Sequence, residues 1–151
     1  MISLLLVFAG CKEKSEPQFP PVVEQEVLAE KVAGEWHCTI TGLNADIYLS
    51  LTQDMEFELY QKIGDGMHRL YKGTWSMDES AGTLSGIYSD GSPWGSSYKT
   101  IVSEDLNSMT LIPDKASEKE EHVYQRCTIP EEIKENSIPV VKSETSGHPV
   151  L

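Results

Sequence analysis

From residue 22 to residue 33 the apolar side chains Val23, Val27, Leu28 and Val32 recur at helical spacing, and the pattern ends at Gly34. After Gly34 the period becomes two. Ile47, Leu49 and Leu51 alternate with Tyr48 and Ser50, and Met55, Phe57 and Leu59 alternate with Glu56 and Glu58. Farther on, Leu84, Gly86 and Tyr88 share one face of a segment, and Tyr98, Thr100 and Val102 one face of the next. Successive side chains of a strand point to opposite faces, so each set marks a strand with one buried side. The alternation predicts strands at 35–41, 46–52, 55–63, 67–77, 82–89, 96–103, 108–112 and 121–129, after a short amphipathic helix at 22–33.

The breaks between these segments carry turn chemistry. Gly42-Leu43-Asn44, Gln53-Asp54, Gly64-Asp65-Gly66, Asp78-Glu79-Ser80, Asp90-Gly91-Ser92-Pro93, Asp105-Leu106-Asn107 and Pro113-Asp114 supply residues that tolerate positive φ or preset a turn. A strand about every 8–12 residues points to a sandwich or a barrel rather than to βαβ units. All connections but the last are short, so sequential strands pair as a meander, and closure of an even-numbered meander removes its exposed edges. The predicted fold is all-β: an eight-stranded antiparallel up-and-down β-barrel with a short N-terminal helix. About eight strands enclose an interior that side chains just fill, or that holds one small ligand. The alternation does not choose between these.

Outside the barrel the chain changes character. Ile2 and Leu4 to Phe8 form a short apolar run, and Ala9-Gly10-Cys11 follows. Small residues before a cysteine resemble a bacterial lipobox. That resemblance makes 1–10 a lipoprotein signal peptide and Cys11 the lipidated residue. The run is too short to span a bilayer, and the absence of Lys or Arg before it points to a start farther upstream. Residues 11–21 read as a charged, proline-rich tether, 22–130 as the barrel with its leading helix, and 131–151 as a polar, frayed tail with one helical turn at 131–135.

The net charge of −12 over 151 residues excludes a nucleic-acid partner, since nothing here neutralises a run of phosphates, and it leaves membrane attachment to the lipid anchor alone. With 39% hydrophobic residues the chain can fill one modest core. An outer-membrane lipoprotein, facing the periplasm or the cell surface, is the expected location.

Gly34-Glu35-Trp36 opens the first strand after a short helix, Tyr71-Lys72-Gly73-Thr74-Trp75-Ser76 precedes Thr83-Leu84-Ser85-Gly86, and Tyr124-Gln125-Arg126 lies on the last strand. Together these resemble the lipocalin-like (calycin) domains of Bacteroidetes-type lipoproteins over roughly residues 32–130. The resemblance implies that Arg126 packs over the Trp36 indole and closes one end of the barrel. A guanidinium on an indole face contributes roughly 0.5–2 kcal/mol. The alternative is an Arg126 that points outward as an edge charge.

Two further cysteines, Cys38 and Cys127, sit on the first and last strands. In an oxidising compartment a disulfide between them would staple the seam. Alternation raises a conflict: Trp36 and Cys38 share a face of a regular strand, whereas Arg126 and Cys127 lie on opposite faces. The Arg126–Trp36 stack and a flat Cys38–Cys127 bridge exclude one another without a bulge, and two buried free thiols remain the alternative.

In a meander alternate loops share an end, so the end opposite Trp36 gathers residues 43–46, 64–66, 90–95 and 113–120. Trp94, flanked by turn residues, is either a ring at this mouth or a lid folded back on the core. Trp94, Tyr98, Tyr48 and Tyr88 are the candidate ligand-binding residues. Tyrosines such as Tyr48, Tyr60, Tyr71 and Tyr98 either line the cavity or coat its outer wall. The chain has no G-x-S-x-G, P-loop, C-x-x-C or H-E-x-x-H motif. His37 and His122 would at most face each other across the seam, which makes no metal site without further ligands. The expected role is therefore non-enzymatic, with no catalytic residue, metal or cofactor. The reading is a membrane-anchored barrel that binds a small, largely apolar molecule, the alternative being a filled barrel that contacts a protein or glycan through its loops.

Overall fold

A computed structural model describes residues 27–115, 120–140 and 151. A single turn of helix, α1 (Leu28–Val32), leads into eight antiparallel strands: β1 (Gly34–Ile40), β2 (Ala45–Leu51), β3 (Glu56–Ile63), β4 (Arg69–Asp78), β5 (Thr83–Tyr88), β6 (Tyr98–Val102), β7 (Ser108–Pro113) and β8 (His122–Arg126). Each strand pairs with its sequence neighbour, and β1 also pairs with β8 through Trp36↔Arg126 and His37↔Gln125. The tube is closed, as the meander predicts. The β2 burial pattern alternates without a break, with Ala45, Ile47, Leu49 and Leu51 buried.

The interior is packed. Trp36, Ile47, Leu49, Phe57, Leu59, Trp75, Leu84, Trp94, Met109, Leu111 and Tyr124 form one continuous core. Trp36, Leu49, Met109 and Tyr124 are completely buried.

The expected frayed tail is corrected from residue 131 to residue 140. The helical turn expected at 131–135 is present as α2 (Glu131–Asn136), but it is packed on the barrel and followed by a two-residue strand, β9 (Ile138–Pro139), parallel to β4. The reason is an apolar patch on the outer wall. Tyr60, Leu70 and Ile129 are buried there together, with Tyr48, Cys127 and Ile133 packed around them. Lys134 pairs with Glu35 at 2.9 Å, and Ile138 N–H donates to the His68 carbonyl. This segment runs as a strap from the β1–β8 seam to the edge of β4. Residues 1–26, with the signal, the tether and Cys11, lie outside the described residues, as do residues 22–26 of the helix predicted at 22–33.

Candidate functional site

One end of the barrel is sealed. The Arg126 guanidinium lies 4.1 Å from the centre of the Trp36 ring and donates to the main-chain oxygens of Lys31, Ala33 and Leu106. The Trp36 indole N–H donates to the Val32 carbonyl at 2.8 Å. Gly34 takes φ +134°, and a Cβ there would collide with the guanidinium, which is why glycine opens this strand. The outward-pointing alternative for Arg126 is thereby set aside.

The cysteines answer the conflict between stack and bridge. Cys38 faces the interior beside Ile47, whereas Cys127 follows Arg126 on the outer face, and both are free thiols. The candidate disulfide is a correction: a regular register places the two sulfurs on opposite sides of one wall. Burial, with a smaller contribution from Asp46, raises the Cys38 thiol to about 11.

At the other end, three of the four candidate aromatic residues converge. The Trp94 ring is 6.1 Å from Tyr98 and 5.1 Å from Phe57, and Phe57 is 5.8 Å from Tyr88. Trp94 is folded back into the tube. Its backbone N–H donates to the Gly86 carbonyl, and its indole occupies the space that a Cβ on Gly86 would need. Burial raises the Tyr98 hydroxyl to about 12 and that of Tyr88 upward as well.

The fourth, Tyr48, does not join them. It lies on the outer wall, stacked on His37 with ring centres 4.4 Å apart. Its register opposite His37 on β1 and Tyr60 on β3 puts all three outside. Of the two positions left open for Tyr48 it takes the outer wall, so this candidate ligand-binding residue stands apart from the ring cluster inside the barrel. His37 and His122 do not face one another either: His37 stands opposite Gln125, pointing outward, and His122 points in opposite Leu111.

The open end carries a cavity of about 390 Å³ lined by Gln61, Ile63, Asp65, Gly66, Met67, Arg69, Tyr71 and Ile138. Tyr71 is the link inward, since its ring is 6.1 Å from Tyr88. Ile63, Met67 and Ile138 are each about half exposed, so the rim offers apolar surface to solvent. Sequence reading missed the Arg69 and Ile138 walls. Arg69 sits just inside a strand that begins two residues later than expected, and Ile138 belongs to the segment read as tail.

A second missed cluster sits on the outer wall. Asp46 accepts from His37 at 2.6 Å and from His68 at 2.7 Å, each through Nε2. Burial raises the Asp46 carboxyl, but the two histidine hydrogen bonds outweigh it and hold the group below its ordinary value. His37 and Asp46 are diagonal neighbours in the β1–β2 register, so alternation with a short turn contained that half of the cluster. His68 lies beyond the next hairpin, where no periodicity reaches. Among the described residues no group of three or more His, Cys, Asp or Glu is arranged to hold a metal ion, and no helix is long and apolar enough to cross a membrane.

Comparison of the chain with protein-family models, with curated proteins and with solved structures finds no match.

Proposed function

We propose that this protein is a non-enzymatic binder that takes a small, largely apolar molecule at the open mouth of its barrel, held at the bacterial envelope by a lipidated Cys11. One observation carries the reading: the cavity of about 390 Å³ beside Tyr71, where the half-exposed Ile63, Met67 and Ile138 stand among Gln61, Asp65 and Arg69, and where Tyr71 meets Tyr88 of the inner ring cluster. Ligand sites are concave and combine apolar surface with polar groups that orient the ligand, and Gln61, Asp65 and Arg69 are the polar groups here. Because side chains fill the barrel below, the ligand sits at the rim rather than deep in the tube.

The test is titration with the neutral lipophilic dye N-phenyl-1-naphthylamine, with native mass spectrometry for stoichiometry. One dye per chain is expected, with binding at least tenfold weaker in Met67→Asp and in Ile138→Asp, both of which alter exposed side chains. Absence of binding, or binding untouched by both variants, overturns the reading. For the anchor, an alkyne-tagged fatty acid fed to cells is expected to label the chain but not Cys11→Ala.

The filled interior favours a second reading, in which the same rim contacts a protein or glycan partner. A stoichiometric partner recovered by pull-down and lost in Met67→Asp, with no dye bound, decides for it.

A further inference from the structure

One hairpin builds the cavity at the mouth. Gln61, Ile63, Asp65, Met67, Arg69 and Tyr71, alternate residues from β3 through the turn into β4, all line it. Arg69 stands opposite Gln61 in the β3–β4 register, and two residues along Leu59 stands opposite Tyr71. Leu59 and Tyr71 belong to the core, so strand alternation puts Arg69 on the inward side of the wall, where the tube ends. Ile138 closes the cavity from the strap, held by its N–H on the His68 carbonyl.

Apolar and charged side chains take turns along this face: Ile63, Asp65, Met67, Arg69. Among the described residues the Asp65 carboxylate and the Arg69 guanidinium form no ion pair or side-chain hydrogen bond, with each other or with a third group. Opposite charges on one concave surface that are not spent on each other complement a ligand that carries both. A lone carboxylate would meet Arg69 but approach Asp65 and a chain of net charge −12, and a lone amine would approach Arg69. Ile63, Met67 and Ile138, each about half exposed, add apolar surface for the body of the ligand. A volume of about 390 Å³ lies near the lower end of the roughly 300–1,000 Å³ of small-molecule sites, which suits one amino acid and not a lipid.

We propose that this cavity takes a zwitterionic α-amino acid with a large apolar side chain, its carboxylate on Arg69, its ammonium on Asp65 and its side chain over Ile63, Met67 and Ile138. The guanidinium fork matches a carboxylate with two parallel N–H donors, and the Asp65 carboxylate accepts from the ammonium. Both protein charges are open to solvent, so each pairing adds about fivefold to affinity and the apolar contact supplies the remainder. The inference rests on the reading of this cavity as the ligand site and names the chemistry that the site prefers.

The experiment is calorimetric titration of the full chain with L-phenylalanine, N-acetyl-L-phenylalanine, L-phenylalanine amide and glycine, alongside displacement of N-phenyl-1-naphthylamine. L-phenylalanine is expected to bind one per chain and displace the dye, the acetyl and amide forms to bind about fivefold more weakly, and glycine not to bind. Asp65→Asn should erase the preference over the acetyl form, and Arg69→Gln the preference over the amide. Both alter exposed side chains, and near-UV circular dichroism confirms that each variant is folded. Equal binding of the three phenylalanine forms, preferences that survive both substitutions, or L-phenylalanine bound without displacing the dye overturns the inference. If the dye binds and is lost in Met67→Asp while L-phenylalanine does not bind, this inference alone fails. If neither binds, the reading of the mouth as a ligand site fails with it.

Discussion

The Arg126 guanidinium covers the Trp36 indole at 4.1 Å from the ring centre while donating to the carbonyls of Lys31 and Ala33, so one side chain of the last strand plugs the barrel and caps the helix before the first. Replacing it with leucine removes the cation–π contact and leaves three main-chain oxygens without this donor. Arg126→Leu is expected to cost about 3 kcal/mol in urea unfolding, and Arg126→Lys less, because an ammonium keeps a cation at the ring, though it cannot reach all of these oxygens in one plane.

Glu79 performs the complementary task at the start of α1. Its carboxylate accepts from the backbone N–H groups of Leu28 and Ala29, both at 2.9 Å. A five-residue helix does not hold itself together in water, so both of its ends are secured from elsewhere in the fold. Glu79→Ala is expected to cost about 1 kcal/mol. Hydrogen exchange should show protection lost at the Lys31 and Ala33 amides while β2 and β3 are unaffected.

Gly86 and Trp94 share one volume. A methyl group on Gly86 meets the indole directly, so Gly86→Ala forces the ring out and should destabilise by about 1–3 kcal/mol. Combined with Trp94→Leu, the alanine should cost much less than it does alone, since the collision is gone. Additive losses in a double-mutant cycle would contradict the packing described above.

Asp46 makes stability depend on pH. Its folded pKa lies below the ordinary carboxylate value, because the hydrogen bonds from His37 and His68 outweigh burial. A lowered acid pKa contributes stability that is present above the unfolded value of about 3.9 and is lost as pH falls through the folded value. The stability difference between the parent and Asp46→Asn should therefore hold steady above about pH 5 and shrink below about pH 4, as measured by urea unfolding across that range.

The thiols should react in a fixed order. Cys38 is buried and its pKa is raised to about 11, so little thiolate forms at pH 8. Cys127 is partly exposed and its pKa is raised too, by burial and then by Glu35. Peptide-resolved mass spectrometry after iodoacetamide treatment should show Cys127 modified well before Cys38, and a reductant should leave the melting temperature unchanged.

Alternation and turn residues carried the strand count, the meander and the closure of the tube, because side-chain period and turn preference are properties of neighbouring residues. The same local rule showed that an Arg126–Trp36 stack and a Cys38–Cys127 bridge compete. Only the assembled barrel chose the stack, since the choice depends on the register across the β1–β8 seam, which joins residues about ninety apart. Tertiary structure also decided that Trp94 turns inward over Gly86, that Tyr48 faces out, and that residues 131–140 wrap the outer wall. Periodicity names two faces for every strand and leaves open which neighbour, near or distant in the chain, will cover each of them.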